Sequence, residues 1–377
     1  MNSDRLYQEH IDTMFGTKDM YDFKDEEIEC AFANLLQCMP NGGKLYKYRK
    51  ISDQDSFDKV YHSLSEGTLW SSRADQFTDK TDCTVYYEPV EEAERISSLI
   101  AENPELIVGA IMRSLSFKVL KENPDFDKSM LLRMVHCFNK TTGEFIQSKA
   151  LKVFRDYGCD KHMSLVAITA IQQHISAALK DKKEIIRQIV HNFLNFNQEI
   201  RRRAFICSLC EDYKVKTMWE HYADNQGICI EYDFNKIKGM STETKRFFCS
   251  TYKVNYVDEY EKVTFVPLIK EYLDGNHDKS NNTDMNKKIL NSQITKTTDY
   301  SYEKEWRLFH FSLNNQGKGY AIRADIVSAI IFDENAIYSE NGKKLLALAK
   351  KKNWGIKVRS LNSTSTKYVF KELGSEA

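Results

Sequence analysis

Between residues 90 and 203 the chain repeats apolar side chains every three or four positions, and this helical run does most to constrain the fold. Ile96, Leu99 and Ile100 keep that spacing, as do Ile107, Ile111 and Leu115. It continues in Ile171, Ile175 and Leu179, then in Ile185, Ile189 and Phe193. Such a period lays one apolar stripe along each helix. On both sides the pattern changes to short β-rich runs. Residues 45–49 and 68–71 read as strands before the block, with a helix at 56–65 ended by Gly67. Strands at 204–209, 227–232, 247–256, 302–311 and 329–332 follow it, then a helix at 343–350 and a last strand at 355–358. The polar stretch 268–294, with Asn281 and Asn282, reads as a mobile loop. The expectation is an α+β fold, a mixed split sheet with a long inserted helical subdomain. Residues 1–43 form an N-terminal helical segment, 44–91 and 204–377 the two halves of the α+β core, and 92–203 the helical insert.

Composition narrows the function classes. Lys plus Arg and Asp plus Glu both number 54 in 377 residues, so bulk charge favours no polyanion. The basic runs at Arg201, Arg202, Arg203 and at Lys350, Lys351, Lys352 read as solvated helix ends. No apolar run approaches membrane-spanning length and the start is polar, so no membrane and no signal peptide are expected. Nine cysteines without framework spacing read as reduced thiols in a cytoplasmic protein. Few prolines with many Lys, Asn and Ile fit a bacterial, low-GC coding sequence.

The chemistry-bearing residues sit in three places. Read as a strand, Tyr302–Phe309 puts Glu303, Glu305 and Arg307 on one face. Such a set can hold sugar hydroxyls, stabilise a developing cation or bind a metal; the plain alternative is a solvated edge with an ion pair. The loop after Trp70 carries Asp75, Asp79 and Asp82, suited to a ligand or to an Asx-rich turn. In Met218-Trp219-Glu220-His221-Tyr222-Ala223, Met218, Trp219 and Tyr222 read as core anchors and His221 as a capping residue. Cys207-x-x-Cys210 has no second ligand pair for zinc and reads as core, and His221 is the one nearby partner for a nucleophilic cysteine. Neither a dinucleotide-binding glycine turn nor a P-loop is present.

In this order these pieces resemble a bacterial family of unknown function, DUF2971. Lys47-Tyr48 matches its early strand, and Phe77-Thr78-Asp79-Lys80-Thr81-Asp82 its acidic loop, with both carboxylates kept. Cys207-Ser208, the segment from Met218 to Glu231, and Tyr302-Glu303-Lys304-Glu305-Trp306-Arg307 match the rest. The resemblance spans about residues 44–360 with an unusually long helical insert.

The layout also resembles, more distantly, ADP-ribosyltransferase folds, and this implies glycosyl transfer from NAD. By motif position Arg49 or Lys47 would hold the ribose, Ser71 would pack against nicotinamide, Glu305 would stabilise the oxocarbenium ion and Glu303 would activate the acceptor. The nucleotide site implied in this way comprises Lys47, Tyr48, Arg49, Ser71, Asp79, His221, Tyr222 and Arg307, without a metal. Partners would be a small nucleotide, a macromolecular acceptor and a protein bound through the helical insert. Relatives of this kind look like parts of bacterial stress or phage-defence loci, which points to a toxic effector. Two rivals stand beside this reading. In one, Asp79, Asp82, Glu303 and Glu305 gather Mg²⁺ for phosphodiester cleavage, with Lys47 or Lys296 facing the phosphate. In the other the chain is a non-enzymatic sensing module.

Overall fold

The computed structural model describes residues 3–14, 23–103, 127–134, 136–137, 139, 144–180, 182–267, 287–312, 317, 319–362 and 367–373. The chain forms two units, Met1–Thr84 with Glu199–Tyr260 and Ile289–Ala377, and Val85–Gln198 with Glu261–Lys288. Ile107, Ile111, Leu115, Asn281 and Asn282 lie outside the described residues.

The first unit opens with helices α1 (Ser3–Met14) and α2 (Asp25–Cys38), then strand β1 (Lys44–Arg49). Helix α3 (Gln54–Glu66) starts where the Asp53 carboxylate accepts from the Ser56 amide at 2.8 Å. It stops at Gly67, whose φ of 64° admits a left-handed end, and the chain enters β2 (Thr68–Arg73). After the second unit come β3 (Ala204–Cys210), α4 (Lys216–Ala223), β4 (Ile228–Asp233), α5 (Thr242–Phe248), β5 (Thr251–Lys253) and β6 (Asn255–Val257). The last part holds β7 (Thr295–Thr297), β8 (Glu305–Phe311), β9 (Gly319–Arg323), β10 (Val327–Asp333), α6 (Glu340–Lys351), β11 (Gly355–Leu361) and β12 (Tyr368–Glu372).

Ten of these strands make one mixed sheet, parallel at β10–β11 and antiparallel elsewhere. Its branching follows from β3. Strand β8 covers β3 from Ala204 to Cys210, which consumes one of its two edges. The other edge is shared: β2 pairs it at Phe205 and Ile206, and β1 pairs it at Cys210. The sheet therefore forks between residues 206 and 210, with β1–β4–β10–β11–β12 on one branch and β2–β9 on the other.

Alternation along the strands separates two cores. Leu45, Leu209 and Ile230 face apolar residues of α2, α3 and α6, including Phe32, Phe57 and Leu345. Tyr46, Tyr48 and Cys210 face Met218 and Trp219 of α4. Among the described residues no helix is long and apolar enough to cross a membrane.

The second unit is built from helices Pro89–Glu102, Lys128–Met134, Gln147–Asp156, Lys161–Leu179 and Lys182–Leu194. Among the described residues of 92–203 there is no strand. The unit starts at Val85 rather than 92, and it takes in 261–288. The reason is local bonding: Asn197 clasps the Val85 backbone through both amide atoms, and the buried Glu92 carboxylate accepts from the Phe265 amide at 2.6 Å.

Three sequence expectations need correction. Residues 247 and 248 belong to α5, because the Ser241 hydroxyl caps a helix whose Phe248 fills the core. Strand β8 begins at Glu305, not 302. Arg201 is buried, not a solvated helix end.

Candidate functional site

A cavity of about 900 Å³ opens at the fork of the first unit. Tyr46, Lys47, Tyr48 and Arg49 of β1 line one side and Ser72 of β2 another, with Ile206 to Cys210 of β3 at the root save Cys207. Asp79 and Asp82 enter from the loop after β2, Tyr222 from α4, Lys296 from β7, and Glu303 and Glu305 from the approach to β8.

The loop holds its place because Arg201 clamps it. The guanidinium donates to the carbonyls of Ala74, Asp79 and Lys80 and to the Thr84 hydroxyl. Asp79 itself accepts from the Thr81 amide and hydroxyl at 2.8 and 2.7 Å. Burial raises its pKa, but these hydrogen bonds outweigh it and hold the carboxyl below the usual range.

Glu303 ends a 3₁₀ turn, Thr298–Glu303, and Lys304 follows in left-handed backbone with φ of 43° before β8 starts at Glu305. The two glutamates thus come from different elements rather than one strand face. They still converge, because Lys296 bridges them, 2.5 Å from Glu303 Oε2 and 3.2 Å from Glu305 Oε2. Tyr222 donates to Glu303 Oε1 at 2.6 Å. Behind Glu305 lies Arg307, with Nε 2.9 Å from Oε1 and Nη2 3.1 Å from Oε2. The same guanidinium grips Asp82 at 2.8 and 3.1 Å, the Gln293 carbonyl at 2.5 Å and the Cys83 thiol at 3.1 Å.

This network lies almost wholly out of water: Glu303 is 3%, Glu305 4% and Arg307 0% exposed. Such burial makes each carboxylate's state depend on its partners. For Glu305, burial pushes the pKa up, but Arg307 and Lys296 dominate and hold it down at about 2. For Glu303, burial wins, helped by the Glu305 charge and opposed by Lys296 and Tyr222, and its pKa is raised. Burial lowers the Lys296 pKa, yet the surrounding carboxylates outweigh it and raise the value. Glu305 stays anionic while its neighbour is displaced towards protonation.

Of the residues expected at a nucleotide site, Lys47, Tyr48, Arg49, Asp79, Tyr222, Glu303 and Glu305 line the one cavity. The Tyr48 hydroxyl is spent on the Asp212 carbonyl at 2.7 Å, and its ring packs edge-on against Trp219. Tyr222 is 44% exposed and reaches Glu303, so it is no core anchor. Ser71 does not line the cavity: strand alternation turns it to the opposite face, where it is fully buried, and Ser72 takes the wall. His221 stays outside, with Nδ1 3.3 Å from the Tyr302 hydroxyl. Arg307 touches Glu305 from behind and not the cavity.

In the sequence Lys296 enters only the metal alternative, since a lysine seven residues before a glutamate carries no periodic signal, while Asp82 belongs to the ligand-suited loop as well. Among the described residues no group of three or more His, Cys, Asp or Glu side chains is placed to hold a metal ion. The carboxylates are already neutralised at bonding distance by Lys296 and Arg307.

Comparison with known sequences supports the family resemblance over part of the chain. A family described as a protein of unknown function, DUF2971, matches residues 218–308. That segment carries Tyr222, Lys296, Glu303, Glu305 and Arg307. No curated protein and no solved structure matches the chain.

Proposed function

We propose that this cavity binds an anionic nucleotide of the NAD class and that its two glutamates cleave the nicotinamide–ribose bond. The observation that carries the reading is the different bonding of two buried carboxylates that line the cavity: Arg307 grips Glu305 from behind and helps hold it anionic, while Glu303 is left to Lys296 and Tyr222 and its pKa is raised by burial. Environments that drive a pair of carboxyl groups apart assign them different roles. Nicotinamide would leave with the bonding electron pair, and positive charge would develop on the ribose. The fixed Glu305 anion offsets that charge without reorganising. Glu303, whose raised pKa makes its ionised form the more basic carboxylate of the two, takes the proton of the attacking hydroxyl. The acceptor is water or a side chain of another macromolecule; the second case would make the chain an ADP-ribosyltransferase-like effector.

The walls support an anionic ligand. Arg49 lines the cavity from β1 and has no ion-pair partner among the described residues. A pyrophosphate would supply the missing countercharge. Tyr46, Phe77 and Tyr300 offer ring surface for flat groups. The volume lies within the range of small-molecule sites.

The test is incubation with labelled NAD, with and without cell extract, following nicotinamide release and macromolecular labelling separately. Glu305→Gln keeps the shape and removes the charge, so release should fall by about 10²–10³ while affinity changes little. Glu303→Gln should impair transfer to the acceptor more than hydrolysis. Small and equal effects of both substitutions on both readouts would refute the reading.

A further inference from the structure

Lys47 sits apart from the compensated network. It lies on β1 just beyond the point where β1 leaves β3, lines the cavity, and reaches across the fork to place Nζ 3.1 Å from the Cys207 sulfur. No carboxylate pairs with it among the described residues, whereas Lys44 and Lys50 on either side are both paired. Arg49, two residues on and on the same side of the strand, also lines the cavity.

We propose that Lys47 is a nucleophilic amine that captures the carbonyl group of an anionic ligand as an imine, with Arg49 holding the ligand's phosphate. The lone pair of Nζ adds to the carbonyl carbon to give a carbinolamine. Loss of the former carbonyl oxygen as water then forms the C=N bond, with both protons of the amine leaving in that water. No oxidant or reductant is consumed. The groups facing the amine favour its neutral form. Burial lowers its pKa and the Arg49 charge adds to this, against the Cys207 thiol of β3 and the more weakly felt Glu305 of β8. A desolvated lysine beside a second cation is a recurrent way to make an amine nucleophilic at neutral pH. The ligand class is an aldehyde or ketone bearing a phosphate, such as an open-chain sugar phosphate.

The inference rests on the cavity and not on the glycosidic reading, and the probe separates them. The full chain would be treated at pH 7 with pyridoxal 5′-phosphate, which carries both an aldehyde and a phosphate. Borohydride reduction would fix any imine, and peptide mass mapping would locate it. We expect Lys47 to be labelled roughly tenfold faster than the exposed Lys50, whose amine is held by Asp53 and Asp224. Lys47→Arg should abolish that adduct in a protein of unchanged circular dichroism. Arg49→Gln should slow labelling by the phosphate-bearing aldehyde and spare labelling by a neutral one. Label spread over surface lysines with Lys47 unmodified overturns the proposal, as does Lys47 labelling that becomes appreciable only at the pH of an ordinary lysine. Labelled Lys47 without nicotinamide release would retain this inference and reject the other; release without labelling would do the reverse.

Discussion

At the scale of single residues, the hydroxyl of Tyr222 is one of the groups that set how far burial displaces Glu303. Burial raises the Glu303 pKa, and the hydrogen bond from Tyr222 is among the interactions that restrain the rise. Tyr222→Phe removes that restraint, so the carboxyl should bind its proton more tightly. A base that must be empty to act then needs higher pH. The acidic limb of the pH–rate profile for acceptor transfer should move up by about 0.5–1 unit, the equivalent of one hydrogen bond of about 1 kcal/mol. A limb that stays in place, or moves down, would show that Glu303 is not the titrating base. Glu303 and Glu305 were legible as candidate residues in the sequence, because their motif concentrates charge at short spacing, whereas Tyr222 reads there as a core anchor and enters the site only through the resemblance. The partners of the two glutamates were not legible. Lys296 and Cys83 reach the glutamates and Arg307 from other parts of the chain, and no local pattern encodes such a contact.

Between residue and fold, the backbone of the loop after β2 is clamped by Arg201 of the helix Phe196–Arg203, while Arg307 holds its end at Asp82 and Cys83. Arg201 donates to three loop carbonyls and one hydroxyl. Arg201→Met would keep the aliphatic stem and leave those carbonyls without their donor. The expected cost is about 2–3 kcal/mol, with Asp79 released from its place while Arg307 still holds Asp82. Urea unfolding measures the first effect, and limited proteolysis within 74–84 the second. Unchanged stability and protease resistance would mean that the loop is held by Arg307 and its own Asx bonds. The cluster of three arginines reads as a polar helix end because charge on a helix terminus is usually solvated; that the first of them turns inward depends on where the loop lies. The boundary of β8 was missed for a related reason. Tyr302 to Arg307 has strand-like alternation, yet Lys304 adopts a left-handed conformation that resets the chain and gives Glu303 to a turn.

For the first unit as a whole, stability should depend on pH through two histidines held as neutral rings, His10 buried and His310 half-buried. His10 lies with Nε2 2.9 Å from the Cys249 carbonyl, and His310 stacks on Phe205 with neither ring nitrogen bonded among the described residues. Burial lowers both pKa values from 6.5 to about 4. The unfolded chain therefore binds more protons than the folded one between those values. Stability from this source is complete above pH 6.5, falls as the pH drops towards 4, and levels off below it. The slope is up to about 1.4 kcal/mol per pH unit for each ring. His310→Phe should halve the histidine contribution to the slope, and it should not lower stability at pH 7, since it removes two unbonded nitrogens from an aromatic setting. Denaturant midpoints at pH 7, 6, 5 and 4 test this; an unchanged slope in the variant would refute it. Below pH 4.5 the loss of the Glu305 charge adds a separate fall that ends near its pKa of about 2.

The α+β class, the helical block between two sets of strands and the short motifs that carry the charged residues are written in the order of the amino acids. Those properties follow from periodicity and local chemistry, which act over a few residues. Only the tertiary structure decided that β3 has one edge shared by two strands, that a cavity opens at that fork, and which carboxylate there keeps its charge. Each of these depends on the desolvation and spacing of groups that meet only after the chain has packed.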